Sequence, residues 1–270
     1  MQMALALTLE DCLTLRRSLY DSGYARVTLQ AAAAARAALP SVAAKLNASF
    51  QQGQADWHAT ACVSIATYPE RVQLRYVPAS GKLTELELVA DAAFSALQQV
   101  ALQTLVSLKV DGAPQDGESL LDAFWYPGTD GWGSRPGQPP PPCPAHADVG
   151  LVTFIVDSHP ALEVQRADGS WLQVAPLKHD ECLVIAGRAL ATLTRGRVPA
   201  CVHRVRHTEQ PRTSLVFEVR LDERGARIQA RLEAETAARA MARGADDKYA
   251  MAAAALLTPQ RGAGLACVVM

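Results

Sequence analysis

The chain has 270 residues, 49% hydrophobic and 20% charged, with 26 Lys and Arg against 27 Asp and Glu. It is long enough to bury a substantial core as one domain, and a net charge of −1 gives no basic field, which argues against nucleic acid as the main partner. Six cysteines, Cys12, Cys62, Cys143, Cys182, Cys201 and Cys267, form no CxxC pair or disulfide-like spacing, which fits reduced thiols in a cytoplasmic protein. The first residues lack a basic n-region and run into Glu10-Asp11, unlike a signal peptide, and no stretch has the uninterrupted apolar length of a transmembrane segment.

Apolar residues at helical spacing over 7–20, with Thr8 placed as a cap before Leu9-Glu10-Asp11, predict a helix. Residues 24–29 read as a strand. Residues 30–50, mostly alanine and leucine, predict a helix interrupted near Pro40, whose ring disfavours continuity. Residues 72–76 read as a strand, and 83–108 contain a long helix with an apolar stripe of Leu88, Ala92, Leu97, Val100, Ala101 and Leu105. The segment 128–138, followed by a proline run, is too rich in Gly and Pro for helix or central strand. It is read either as a lid bringing Trp132 over a site or as a solvated insertion.

The run Leu151-Val152-Thr153-Phe154-Ile155-Val156 is apolar and β-branched, as a buried strand would be. Residues 162–166 and 171–174 flank Ala167-Asp168-Gly169-Ser170, whose Asp-Gly pair signals a hairpin. Further strands are expected over 181–185, 200–205 and 213–221. Many short strands with turn signals between them indicate a jelly roll. Residues 224–257 alternate charge with alanine and predict a helix broken near Gly244, with a solvated face. The last four residues, Cys267-Val268-Val269-Met270, fit the C-a-a-X pattern for farnesylation at Cys267, though no polybasic cluster precedes them.

The chemistry concentrates in His146-Ala147-Asp148, answered by His203 and by Arg212-Thr213-Ser214. Two imidazoles and one carboxylate are the ligand set of a non-haem Fe(II) centre that leaves positions open for a co-substrate and oxygen. In an extended segment, positions i and i+2 face the same way, so His146 and Asp148 can reach one metal. A lone HxD triplet is common by chance. The later histidine, and a jelly roll able to bring it to the same mouth, give this one its weight. His58, His159, His179 and His207 have no partner motif and are read as ordinary polar residues.

The stretch Pro142-Cys143-Pro144-Ala145-His146-Ala147-Asp148, followed by Leu162-Glu163-Val164-Gln165, Gly169-Ser170-Trp171-Leu172-Gln173-Val174-Ala175-Pro176, Val202-His203-Arg204-Val205 and Pro211-Arg212-Thr213-Ser214-Leu215, resembles the 2-oxoglutarate/Fe(II) dioxygenases of the isopenicillin N synthase-like class. The likeness covers roughly residues 124–221. It implies a mainly β fold with helical additions, a double-stranded β-helix core backed by N-terminal helices and a C-terminal helix. It divides the chain into a scaffold (1–123), the Fe/2-oxoglutarate core (124–222) and a helical tail (223–270). It further implies Fe(II) held by His146, Asp148 and His203, 2-oxoglutarate as co-substrate and ascorbate as an accessory. Arg212 and Ser214 would hold the distal carboxylate of 2-oxoglutarate, and a guanidinium fork suits a carboxylate. The family's upstream Asn-x-Tyr reads Phe124-Trp125-Tyr126 here, so Tyr126 would keep a co-substrate contact while the asparagine is lost.

The function so implied is oxidation of a small organic molecule, by hydroxylation, desaturation or related chemistry, coupled to oxidative decarboxylation of 2-oxoglutarate with O2. Two other readings stand beside it: a 2-oxoglutarate-independent oxidase of the same fold, and a non-catalytic metal-containing ligand-binding protein. Asp148 argues against halogenation, since related halogenases carry Ala or Gly at that place.

Overall fold

The computed structural model describes residues 7–51, 63–68, 71–76, 78, 85–108, 110, 119–128, 142–222, 225–231 and 234. Helix α1 (Leu9–Ser22) opens on a reciprocal cap: the Thr8 hydroxyl accepts from the Asp11 N–H, and the Asp11 carboxylate accepts from the Thr8 N–H. It stops at Gly23, whose φ of 76° suits glycine, and the chain turns directly into β1 (Tyr24–Thr28).

Helix α2 (Gln30–Gln51) runs unbroken through Pro40, so the expected interruption is absent. Pro40 lies on the exposed side, while Ala31, Ala32, Ala35, Ala38, Leu39, Val42 and Leu46 are buried on the other. Burial of that face outweighs the one intrahelical hydrogen bond that proline cannot donate. In α3 (Glu85–Ser107) the buried face runs through Ala93, Phe94, Leu97, Val100, Ala101 and Leu105. Ala92 is exposed, so the stripe read from the sequence is displaced near its start.

The strands β2 (Val63–Tyr68), β3 (Arg71–Tyr76), β4 (Leu120–Tyr126), β6 (Val152–Asp157), β9 (Glu181–Ala186) and β11 (Arg212–Val219) join β1 in a seven-stranded sheet ordered β1-β9-β6-β11-β4-β3-β2. A second sheet, ordered β5-β10-β7-β8, comprises β5 (Cys143–His146), β7 (Leu162–Gln165), β8 (Trp171–Gln173) and β10 (His203–Val205). The pairings are antiparallel in both sheets. The Asp-Gly turn joins β7 to β8 as expected, with Gly169 at φ 83°. A short helix, α4 (Arg188–Leu193), follows β9. This is a mainly β architecture with helical additions.

Strand periodicity divides the core in two. Leu121, Ala123 and Trp125, Val152, Phe154 and Val156, and Leu215, Phe217 and Val219 face the helices. The alternate positions Phe124, Tyr126, Ile155, Leu183 and Ile185 face the second sheet. Because both faces of β6 and β11 are covered, their sequences read as nearly continuous apolar runs. Trp125 packs on Phe50 of α2, ring centroids 5.0 Å apart, and so faces away from the space between the sheets.

Of the expected C-terminal helix, residues 225–231 are helical. Its break near Gly244, residues 129–141 with Trp132, and Cys267 lie outside the described residues. Among the described residues no helix is long and apolar enough to cross a membrane. Because Pro40 costs α2 a hydrogen bond that packing offsets, Pro40→Ala is expected to raise unfolding stability by about 1–3 kcal/mol in urea. An unchanged or lower midpoint would show that the proline is already accommodated at no cost.

Candidate metal centre

The second sheet brings the two histidines together. His203 opens β10 and His146 closes β5, and the two are direct backbone partners across that pair. Their rings lie 4.3 Å apart between centroids. Asp148 follows β5 by two residues and aims its Oδ1 at both: 3.4 Å from His146 Nε2 and 3.7 Å from His203 Nε2. Ligand atoms from the three residues all lie within 4.8 Å of one another. A six-coordinate ion holding ligands at about 2.1 Å would set adjacent donors roughly 3 Å apart, close to this spacing.

The tautomers fit a cation. His146 Nδ1 donates to the Pro144 carbonyl at 2.8 Å and His203 Nδ1 to the Cys201 carbonyl at 3.2 Å. A carbonyl oxygen cannot donate, so each Nδ1 carries a hydrogen, and in the neutral imidazole the Nε2 that faces Asp148 is the atom left with a lone pair for a metal. Such bonds to the outer nitrogen also fix ring orientation.

Asp148 is held with equal care. Burial alone would push its carboxyl up, but His203, His146 and the Thr153 hydroxyl together outweigh burial and hold it well below the usual carboxylate range. Thr153 Oγ1, from the adjoining β6, donates to Asp148 Oδ2 at 2.5 Å and leaves Oδ1 for the cluster. Burial lowers the proton affinity of His203, an effect that Asp148 partly opposes, which favours the neutral imidazole a metal needs. Below this loop lies Glu218, whose carboxylate accepts from the Gly150 N–H at 2.8 Å and pairs with Arg220 at 2.9 Å. Burial first, and Asp148 next, push its pKa up to about 7.

Close backbone packing sets the loop itself. The Asp148 carbonyl accepts from Arg188 N–H at 2.8 Å, and a Cβ added at Gly187 would lie 2.1 Å from the Gly150 carbonyl oxygen. Glycine is required there by the approach of the metal loop to the start of α4.

Arg212, 1% exposed, begins β11 on the same inner face. Its Nε donates to the His159 carbonyl at 3.1 Å, its Nη1 to Ser214 Oγ at 3.3 Å and its Nη2 to Asp157 Oδ2 at 3.0 Å. Tyr126 is its cross-strand partner and lies under the guanidinium, 5.4 Å from ring centroid to Cζ. The structure therefore groups Arg212, Ser214 and Tyr126, and it groups His146, Asp148 and His203. His159 and His179 are exposed, as ordinary polar residues should be. Sequence reasoning missed Thr153, Asp157 and Glu218. Their signal was available as polar residues at inward-facing positions of otherwise apolar strands.

The two sheets flank a His-Asp-His cluster able to hold a metal ion, with a buried arginine nearby. Residues 132–221 match the family model of the 2OG-Fe(II) oxygenase superfamily. A 2-oxoglutarate-dependent dioxygenase, AOP3 of Arabidopsis thaliana, is 43% identical over 72 residues, 26% of this chain and 17% of its own length. Isopenicillin N synthase of Flavobacterium sp. is 37% identical over 73 residues, 27% of this chain and 22% of its own. The chain thus spans about a fifth of the length of these curated relatives. The structure of the Arabidopsis dioxygenase for auxin oxidation 1, solved with 2-oxoglutarate, superposes with a TM-score of 0.60 at 14% identity, covering 82% of this chain and 94% of that one. That likeness is one of fold.

Thr153→Val keeps the volume of the side chain and removes the bond to Asp148 Oδ2. It is expected to weaken Fe(II) binding about 10- to 100-fold in anaerobic titration. Unchanged affinity would mean that the hydroxyl does not orient the carboxylate.

Proposed function

We propose that the chain is an Fe(II)- and 2-oxoglutarate-dependent dioxygenase that oxidises a small organic molecule. The observation that carries this is the convergence of two imidazole Nε2 atoms and one Oδ1, with Arg212 and Ser214 on the same inner face. His146, Asp148 and His203 are the ligands of the iron. Iron bound there supplies the oxidising chemistry, in which O2 and 2-oxoglutarate are converted to CO2, succinate and the oxidised acceptor.

The remaining residues bind and orient. Arg212 offers a guanidinium already held in place through Nε by the His159 carbonyl, and Ser214 adds a hydroxyl donor for the distal carboxylate of 2-oxoglutarate. Tyr126 supports the guanidinium from below, which keeps its plane fixed for an incoming carboxylate. Phe124, Val164, Ile155 and Leu183 make the space between the sheets apolar, which strengthens each of these charged contacts by excluding water. The acceptor is oxidised by hydroxylation, desaturation or related chemistry.

A cytoplasmic setting accords with the free thiols of Cys12, Cys143, Cys182 and Cys201. Ascorbate as an accessory and farnesyl transfer to Cys267 rest on the family resemblance and on the last four residues alone.

With Fe(II), O2 and 2-oxoglutarate but no acceptor, the protein is expected to release succinate slowly. His203→Ala should abolish that release, and Arg212→Ala should raise the KM for 2-oxoglutarate by tenfold or more, a charge-assisted contact being worth about 1.5–3 kcal/mol. Oxygen consumption with an acceptor but no succinate would favour the 2-oxoglutarate-independent oxidase. Binding of small molecules with neither succinate nor oxygen uptake would favour the ligand-binding protein.

A further inference from the structure

The carboxylate of Asp157 already pairs with Arg212, the guanidinium proposed above to take the distal carboxylate of 2-oxoglutarate. It ends β6 directly across from Ser214 on β11, and its Oδ2 lies 3.0 Å from Arg212 Nη2. Both side chains are buried, at 1% and 8% exposure, so the pair forms a neutral unit inside the protein. The outer edge of the guanidinium is thereby divided, Nη2 facing Asp157 and Nη1 facing Ser214. A guanidinium has five N–H donors, and three of them are engaged by His159, Ser214 and Asp157.

We infer that Asp157 is an internal counter-carboxylate that competes with the co-substrate for Arg212 and so sets which 2-oxo acids the site accepts. The inference rests on the assignment of this site to a 2-oxo acid. The physical argument is charge balance. A second carboxylate brought to Arg212 changes the local sum from zero to −1 where water cannot screen it, and like charges a few ångströms apart oppose each other strongly there. Among the described residues Arg36 also lies near Asp157, and being half-buried and in contact with solvent it relieves this only in part. Arg36 of α2 donates to the main-chain carbonyls of Asp157, His179 and Glu181, so it ties the strand ends to the helix through backbone oxygens. A 2-oxo acid without a distal carboxylate meets no such opposition, because it leaves the Arg212 and Asp157 pair intact.

Asp157 acts through Arg212 and is therefore a positioning residue, with a consequence that a purely structural role would not have. It should flatten the preference for a dicarboxylate. The probes are 2-oxoglutarate and 2-oxopentanoate, which share a five-carbon chain and differ in the distal carboxylate. Binding of each is measured by calorimetry to the full chain loaded with Mn(II), a redox-quiet stand-in for iron, for wild type and Asp157→Asn. The asparagine keeps an oxygen for Arg212 Nη2 and removes the charge.

The wild type is expected to prefer 2-oxoglutarate by less than about tenfold. Asp157→Asn should raise that preference by about tenfold or more while leaving 2-oxopentanoate affinity within about threefold. A wild type that already prefers 2-oxoglutarate by more than tenfold overturns the inference, and this arm needs no variant to fold. Weaker 2-oxoglutarate binding in a folded Asp157→Asn would also overturn it and make Asp157 a clamp that Arg212 requires. If neither acid binds the Mn(II)-loaded wild type, the assignment of the site to a 2-oxo acid fails and this inference falls with it.

Discussion

The pairing of β10 with β5, His203 opposite His146, fixes the register on which the rest of the site depends. In a β pair side chains alternate with period two, so a slip of one residue would turn one imidazole out of the cluster and leave Asp148 facing a single histidine. The minor sheet is small, and β10 is only three residues long. Its register is secured by a second partner, β7, against which His203, Arg204 and Val205 pair with Val164, Glu163 and Leu162. On the same strand Arg204 also bonds Glu163 at 2.6 Å and lies over the Trp171 ring of β8 at 4.1 Å. The hairpin signalled by Asp168-Gly169 therefore does more than reverse the chain: it anchors the strand that carries the distal histidine.

The major sheet supplies the other half of the arrangement. Its outer face is packed by α2 and α3 through Phe94, Leu97, Val100 and the Ala-rich face of α2, which leaves the inner face free to carry polar groups. On that inner face β6 and β11 present Thr153 and Asp157, and Arg212, Ser214 and Glu218, all buried. Buried polar groups at this density are costly unless bonded, and each of these has a hydrogen-bond partner. A network of this kind is rigid. It holds the carboxylate of Asp148 and the guanidinium of Arg212 in place before any ligand arrives, which is the condition for binding without reorganisation.

The parts of the site legible in the sequence were those set by residue type and local spacing. His146 and Asp148 stand two apart, and Arg212 and Ser214 likewise, so one extended segment explains each pair. The jelly-roll core followed from strand patterning, and most strand positions agree with it. Tertiary effects were not legible. Pro40 should break a helix by local rules, yet burial of the opposite face carries α2 through it. The contact of Asp157 with Arg212 joins residues 55 apart, and nothing local marks it beyond a charged residue ending an apolar strand. Trp125 could have been assigned to the pocket from its neighbours in sequence. Strand parity puts it on the helix side against Phe50, while Phe124 and Tyr126 face inward.

The central claim is that His146, Asp148 and His203 hold one divalent iron. Anaerobic titration of Fe(II) into wild type, His146→Ala and His203→Ala, side by side, tests it most directly. The expected result is one equivalent bound by wild type, with affinity in each variant lower by at least about a hundredfold, the loss of a whole ligand exceeding the 10–100-fold seen for outer-shell partners. Binding by either variant with wild-type affinity would contradict the account.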